Sequence, residues 1–251
     1  MSYHQPLGLA LLLVAAVAGG ILNGMAGGGS FVAFPALIFS GVLPVNANAT
    51  NTVALWPASL AAARAYRREL GLRREVLVLG SVSLVGGLVG AVLLLHTPQH
   101  LFGAVVPFLM LGATLLFAAG GRIAHMRGER AAPLWVVSVV QFPIAIYGGY
   151  FGGGLGIMML ASFGVLGAAD YHFANARKNL LATAINGVAV VTFIAAGAVV
   201  WLPALVMIVG AVVGGVLSVM VARRIPQPLI RPAVVAIGLV MSVSLLRNAG
   251  I

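Results

Sequence analysis

The sequence predicts an all-α polytopic membrane protein made of two inverted repeats, each a glycine-broken helical hairpin plus three transmembrane helices. Of the 251 residues, 61% are hydrophobic and only 7% are charged, which is more apolar surface than a soluble domain can bury. Apolar runs long enough to cross a bilayer recur along the whole chain. Glycine-rich stretches interrupt two pairs of runs at matching places, a pattern typical of inverted-repeat transporters.

The predicted helices are the apolar runs. The second and seventh runs are short for a bilayer span, which needs about 20 residues, and consecutive glycines separate each from the run before it. Non-helical backbone at membrane depth must be buried in protein or line a wet cavity, because unsatisfied amides are costly in lipid. We therefore expect each interrupted pair to form a hairpin. The runs are 7–24, 30–43, 47–65, 76–96, 100–120, 134–150, 155–167, 174–197, 199–221 and 228–246.

Basic residues predict the topology. Most arginines lie in the gaps between runs, where positive charge marks the cytoplasmic side. The pairs Arg177-Lys178 and Arg223-Arg224 can both be cytoplasmic only if the segment 134–167 enters and leaves on one side, as a hairpin does. The same reasoning gives each half of the chain an odd number of crossings. The two halves must then be inverted relative to one another.

An internal repeat supports this organisation. Ala47-Asn48-Ala49 recurs as Ala174-Asn175-Ala176, 127 positions later, and the same offset aligns the two glycine stretches. The predicted units are a first membrane repeat over 1–121, a cytoplasmic linker over 122–133 and a second membrane repeat over 134–251.

The N-terminus of each short helix is a candidate anion site. Such a terminus carries unpaired amides and a partial positive charge, and glycine lets the amides approach a ligand with no Cβ in the way. Both termini would lie near the bilayer midplane, since a half-helix of about 12 residues is ~18 Å long. The predicted substrate-binding residues are Gly27, Gly28, Gly29 and Ser30 in the first repeat, and Gly152, Gly153, Gly154 and Gly156 in the second.

Polar side chains on the following helices extend these sites. The repeat offset pairs Ser59 with Asn186, both near mid-membrane. Instead of binding substrate, a buried side-chain amide can form hydrogen bonds between helices. A basic residue can instead extend to the membrane interface and fix the topology. Adjacent residues of a helix cannot face the same way, so Arg177 and Lys178 are expected to have different roles. The predicted side chains are Asn48, Thr50, Asn51, Ser59, Asn175, Arg177, Lys178, Asn179 and Asn186.

Acidic residues and histidines limit the chemistry. Glu69, Glu75 and Glu129 are expected in cytoplasmic gaps and Asp170 in a loop, so no carboxylate is predicted inside a spanning helix. Cation and proton transporters usually bury one, which favours an anionic or neutral substrate. No histidine is placed to activate Ser30, which disfavours an intramembrane hydrolase, and the chain is not expected to be an enzyme. Without cysteine there is no disulfide or thiolate metal site, and neither a cofactor nor a metal is predicted.

The predicted partners are the lipid bilayer and a small anionic substrate. The net charge of +10 would suggest nucleic acid for a soluble protein, but topology accounts for it here, and no nucleic-acid partner is expected. Whether copies of the chain form a homo-oligomer stays open. An anion channel or an accessory membrane subunit remains the alternative to a carrier, because broken helices occur in channels and carriers alike.

The residues quoted above belong to longer segments that resemble a known family. GMAGGGSFVAFPALIFSGVLPVNANATNTVAL with the arginine-rich gap after it, and later GGYFGGGLGIMML and ANARKNLLATAIN, resemble the TauE/SafE family of sulfite and organosulfonate exporters. The resemblance covers nearly the full length. It implies a multi-pass carrier in the bacterial inner membrane that exports small sulfur-containing anions such as sulfite, thiosulfate or organosulfonates.

The family pattern also implies site residues. At Arg177 the chain departs from it, since a threonine is common there, and this leaves the substrate open. Export needs no coupling ion, because a potential negative inside favours outward movement of a monovalent anion by about 2.3 kcal/mol per 100 mV. The positions that match the pattern are Gly27 to Ser30, Pro35, Pro44, Ala49-Thr50-Asn51, Gly152 to Gly156, Asn175, Lys178 and Asn186.

Overall fold

A computed structural model describes residues 2–26, 28–70, 74–125, 132–166, 171–224 and 227–248, and within these ranges all regular structure is helical. The helices follow the ten predicted apolar runs one for one, which confirms the all-α fold class. They are α1 (Pro6–Ala26), α2 (Ser30–Phe39), α3 (Pro44–Leu70), α4 (Arg74–His96), α5 (Gln99–His125), α6 (Leu134–Tyr150), α7 (Leu155–Val165), α8 (Tyr171–Ala195), α9 (Trp201–Arg224) and α10 (Gln227–Asn248).

Several of these helices are suited to crossing a bilayer. Among the described residues, five are long and apolar enough, namely α1, α4, α5, α8 and α9. Large apolar side chains such as Val14, Trp135 and Val216 point outward, as expected where lipid replaces water. α2 and α7 have only 10 and 11 residues, so neither spans the membrane alone. The chain is therefore a multi-pass membrane protein with two short inner helices.

Each short helix folds back along the helix before it. At the open end of the first pair the Tyr3 amide donates to the Ser40 carbonyl at 3.1 Å, which joins the start of α1 to the end of α2. At the open end of the second pair the Ala132 amide donates to the Leu166 carbonyl at 2.9 Å. The chain thus enters and leaves each pair on one side, which confirms the two predicted hairpins.

Helices of one half pack on helices of the other. In the first half, α1 and α3 both contact α9 of the second half. Their repeat counterparts α6 and α8 make the equivalent contacts with α4. In addition, α3 contacts its own counterpart α8, and α5 contacts its counterpart α10. Small residues permit the closest of these contacts. A Cβ on Gly90 of α4 would clash with the Ile146 carbonyl of α6, and one on Gly214 of α9 would clash with the Val17 carbonyl of α1.

This packing predicts that Gly90→Ala destabilises the protein. The added methyl would force α4 and α6 apart, at a cost of about 1–3 kcal/mol for overpacking. Gly80→Ala on the same helix is the matched control, because nothing lies within 4 Å of its added Cβ. We expect thermal unfolding of the purified protein to show a lower Tm for Gly90→Ala only. An equal effect of both substitutions would contradict the close α4–α6 contact.

Two helix boundaries differ from the predicted apolar runs. Glu75, expected in a cytoplasmic gap, lies in the first turn of α4 and so within the apolar span Arg74–His96. Its charge is tolerated there because it pairs with Arg177 of α8. α5 continues to His125 and thus into the predicted linker, since no proline stops the helix at residue 122.

Candidate functional site

The tip of the first hairpin lies between α1 and α2. Gly28 and Gly29 are buried there, and Gly29 approaches Gly19 and Asn23 so closely that a side chain would not fit. The hydroxyl of Ser30, the first residue of α2, accepts a hydrogen bond from Asn51 Nδ2 at 3.1 Å. Gly27, which was predicted at this tip, lies outside the described residues.

The tip of the second hairpin is a tight glycine turn. Gly152 and Gly154 have φ angles of 77° and 76°, a conformation that residues with a Cβ rarely adopt. A Cβ on Gly154 would also lie 3.0 Å from the Ala113 Cβ of α5. The Tyr147 hydroxyl donates to the Gly153 carbonyl at 2.7 Å and holds the turn against α6.

Some of the amides that were predicted to face a ligand are used within the tips. The Gly152 amide donates to the Tyr147 carbonyl at 3.2 Å and is not available to a substrate. The amides of Leu155 and Ile157 donate to the carbonyls of Gly152 and Gly154 at 3.3 and 3.0 Å. Over residues 132–166, the tip amides that donate to no backbone carbonyl are those of Gly153, Gly154 and Gly156.

Arg177 and Lys178 have different surroundings, as predicted. Arg177 is 5% exposed, its Nη1 lies 2.6 Å from Glu75 Oε1, and its guanidinium stacks 3.9 Å from the centroid of the Phe163 ring. The Lys178 side chain instead crosses the first turn of α7, where a Cβ on Gly156 would lie 3.3 Å from Lys178 Cδ. No hydrogen bond or ion pair joins the Lys178 ammonium to another residue in the described ranges. Lys178, and not Arg177, therefore lies at the second tip.

Ser59 and Asn186 each face the hairpin tip of their own half. Asn186 Oδ1 lies 3.7 Å from the position of a Cβ on Gly152. The Ser59 hydroxyl accepts a hydrogen bond from Asn23 Nδ2 at 3.4 Å, just before the first glycine stretch. Between them, at the crossing of α3 and α8, Thr183 Oγ1 donates to the Ser59 carbonyl at 3.1 Å.

One turn of α3 contacts both hairpins. Asn48 Nδ2 donates to the carbonyl of Tyr150, the last residue of α6, at 3.0 Å, while Asn51 reaches Ser30 at the start of α2. The rings of Phe34 in α2 and Phe151 in the second tip also meet edge to face, with centroids 5.9 Å apart. The two tips are therefore neighbours inside the protein.

Besides Arg177, three predicted side chains are not brought to a tip by any described contact. Thr50 Oγ1 accepts a hydrogen bond from the Val200 amide at 3.0 Å and ties α3 to the start of α9. Asn175 and Asn179 are half-buried on α8, and neither side chain makes a hydrogen bond to another residue of the described chain.

Two residues at the tips were missed by sequence reasoning. Asn23 and Tyr147 come from the helices that lead into the tips, whereas the prediction considered only the glycines and the helices that follow. Each lies a few residues before its glycine stretch, so a polar group at that spacing was the signal that could have found them.

A family model described as the sulfite exporter TauE/SafE matches residues 11–245. The chain belongs to the TauE/SafE family. Proteins similar to it are named as probable membrane transporters. A probable membrane transporter protein, ORF9, from Sinorhizobium is 29% identical over 96% of this chain and 93% of that protein. The probable membrane transporter protein YfcA of Escherichia coli K12 is 29% identical, covering 98% and 92% of the two chains.

A third relative, a probable membrane transporter protein of Haemophilus influenzae, is 27% identical over 96% of both chains. No solved structure matches the chain. Because the family match includes both hairpins and the helices around them, this TauE/SafE protein is a membrane transporter, which is in keeping with the predicted absence of enzymatic activity.

Proposed function

We propose that this TauE/SafE protein is a secondary transporter that exports small sulfur-containing anions, such as sulfite, thiosulfate or organosulfonates, across the bacterial inner membrane. The anion binds between the two hairpin tips, near the bilayer midplane. The observation that carries the proposal is the contact of both tips with one turn of α3, through Asn48 and Asn51. Residues one turn apart are separated by about 5 Å along the axis, so one small ligand can touch both tips.

The second tip supplies the charge that favours an anion. Lys178 lies over the N-terminus of α7 without a described counter-ion, and an unpaired ammonium at this depth is costly. The free amides of Gly153, Gly154 and Gly156 and the positive end of the α7 dipole lie at the same place. A sulfur oxyanion has several acceptor oxygens and a negative charge, so it can satisfy the amides and the ammonium together.

Helix directions support the proposal that the halves are inverted. Glu75 pairs with Arg177, and further along both helices Gly87 packs against Ile185, so α4 and α8 run in the same direction. Asn46, near the start of α3, donates to the carbonyl of Ala198 just after the end of α8, whereas Thr183, in the middle of α8, donates to the Ser59 carbonyl further along α3. In this arrangement α3 and its repeat counterpart α8 cross in opposite directions, which lets the hairpins enter from opposite sides.

Labelling of single cysteines tests this topology without background, since the natural chain has no cysteine. We expect Leu43→Cys and Ala196→Cys to react with an impermeant maleimide on intact cells. Arg74→Cys and Pro133→Cys should react only after permeabilisation. All four positions are exposed, so accessibility reports sidedness. Labelling of Leu43→Cys and Pro133→Cys from the same side would contradict the inverted halves.

Counterflow of radiolabelled sulfite in proteoliposomes tests the function. A carrier should show saturable uptake that unlabelled sulfite, thiosulfate or an organosulfonate on the opposite side stimulates. Current that rises linearly with voltage without saturation would favour the channel alternative. If the reconstituted protein moves none of these anions, the proposed function is wrong, and an accessory subunit becomes the better description.

A further inference from the structure

Two buried side-chain oxygens beside the hairpin tips lack a hydrogen-bond donor. They are Asn48 Oδ1 and Asn51 Oδ1, on residues that are 1% and 2% exposed. Within the described residues no other group donates to either atom. Buried polar atoms in native proteins are almost always satisfied, by protein, by ordered water or by an ion. Each oxygen therefore marks the position of a missing donor or cation.

The orientation of Asn48 is fixed by its partner. Its other amide atom faces the Tyr150 carbonyl, which can only accept, so the atom there must be Nδ2 and the free atom must be Oδ1. Asn51 pairs with the Ser30 hydroxyl, which can donate or accept, and either orientation of that amide is compatible with the contact. Asn48 is therefore the residue on which the inference rests.

The C-terminus of α6 adjoins Asn48 through Tyr150 and offers further acceptors. The last carbonyls of a helix have no intrahelical donor and together carry a partial negative charge. Over residues 132–166, no backbone amide from beyond the helix donates to the carbonyls of Gly148, Gly149 or Tyr150, because the amides of Phe151 and Gly152 both donate to Tyr147. The C-terminal ends of broken helices are places where transporters of other families coordinate Na⁺.

We propose that Asn48 Oδ1 and the C-terminal carbonyls of α6 bind a monovalent alkali cation, tested here as Na⁺, with Asn51 as a neighbouring ligand. The proposal rests on the proposed function, because this site adjoins the anion site. All of the ligands are neutral oxygens, which suit a hard cation. A single charge fits them best, since no described carboxylate lies at the tips to offset a second charge.

A comparison of the two halves of the chain gives a reason for a bound cation in the first half. Asn51 and Lys178 are 127 positions apart, and each contacts the first turn of the short helix of its own half, at Ser30 and Gly156. The second half thus has a fixed positive charge where the first has a neutral amide. A bound Na⁺ supplies the corresponding charge, so the transported anion would face a positive group from each side.

Thermal unfolding of the full-length purified protein tests the site, with Na⁺ replacing choline at constant ionic strength. We expect a saturable rise in Tm of roughly 3 °C at a tenfold excess of Na⁺ over its Kd, and no rise in Asn48→Ala. Gln141→Leu is the matched control. Gln141 also has a buried amide oxygen without a donor, and its Nε2 donates to the Ser83 hydroxyl. It differs from Asn48 in position, because it lies where α4 packs on α6 and not at the hairpin tips. This variant should keep the response.

Equal Tm values in Na⁺, K⁺ and choline would overturn the cation site, since a bound water would then satisfy Asn48 equally in every salt. A folded Asn48→Ala that keeps the Na⁺ response would also overturn it. Asn51→Lys covers the case in which Asn48→Ala does not fold, because a tethered ammonium should replace the ion. We expect this variant to fold and to ignore Na⁺, and a retained response would contradict the proposal.

Sulfite added in choline separates this proposal from the proposed function. If sulfite stabilises the wild type equally with and without Na⁺, and Na⁺ alone does nothing, the anion site stands and the cation site fails. If Na⁺ stabilises the protein and no sulfur oxyanion does, the cation site stands and the proposed substrate class fails.

Discussion

Replacing Lys178 with methionine is expected to weaken sulfite binding by about 100-fold, as loss of a charge-assisted contact in a desolvated site does. Methionine keeps much of the apolar stem that packs over Gly156, so the change removes the ammonium more than the packing. Sulfite-dependent thermal stabilisation measures the affinity, and counterflow in proteoliposomes measures the transport that depends on it. Folding of the variant is checked in the same unfolding scan without sulfite.

Two further variants separate a specific role of Lys178 from a general effect of charge. Arg74→Met also removes one positive charge, but from an exposed side chain at the start of α4, and sulfite affinity should not change. Lys178→Arg keeps the charge and should retain part of the affinity. If Lys178→Met binds sulfite within about threefold of the wild type, the ammonium does not contact the substrate.

Glu75→Gln is expected to destabilise the protein. It leaves the Arg177 guanidinium buried without its counter-ion, and loss of one partner of a buried pair is strongly destabilising. The Glu75 side chain is 39% exposed, so water screens part of the charge, and we expect a loss of about 2 kcal/mol. Thermal or denaturant unfolding in detergent measures the change.

The double variant Glu75→Gln with Arg177→Met tests the cause of that loss. Replacing both partners by groups of similar size is often nearly neutral, so most of the stability should return. Methionine can still pack against the Phe163 ring that Arg177 contacts. If the double variant is as unstable as Glu75→Gln, or if Glu75→Gln itself unfolds like the wild type, the pair does not hold α4 to α8.

Much of the fold could be predicted from the sequence because the bilayer imposes simple rules. Helices must satisfy their backbone internally and reach a fixed length, so the apolar runs matched the helices to within a few residues. The hairpins followed from two independent signals, the glycine runs and the side on which arginines accumulate. The break at Gly152 and Gly154 illustrates this, since both have the positive φ that only glycine adopts freely.

The site was harder to predict, because it depends on which face of a helix meets which neighbour. Thr50 and Asn51 are adjacent in sequence, yet Thr50 bonds to the start of α9 and Asn51 to Ser30. From the sequence alone, Arg177 and Lys178 are equally good candidates for a substrate ligand. The structure distinguishes them because Arg177 pairs with Glu75, a residue 102 positions away in the sequence. Contacts over such separations come from tertiary packing, which no local pattern encodes.

A crystal of the protein soaked with selenite, the heavier analogue of sulfite, tests the central claim most directly through the anomalous signal of selenium. One strong peak is expected between the hairpin tips, placed so that selenite oxygens lie about 3 Å from the Lys178 ammonium and the free amides of Gly153 and Gly154. Selenite bound only elsewhere, for example at surface arginines, with nothing between the tips, would contradict it.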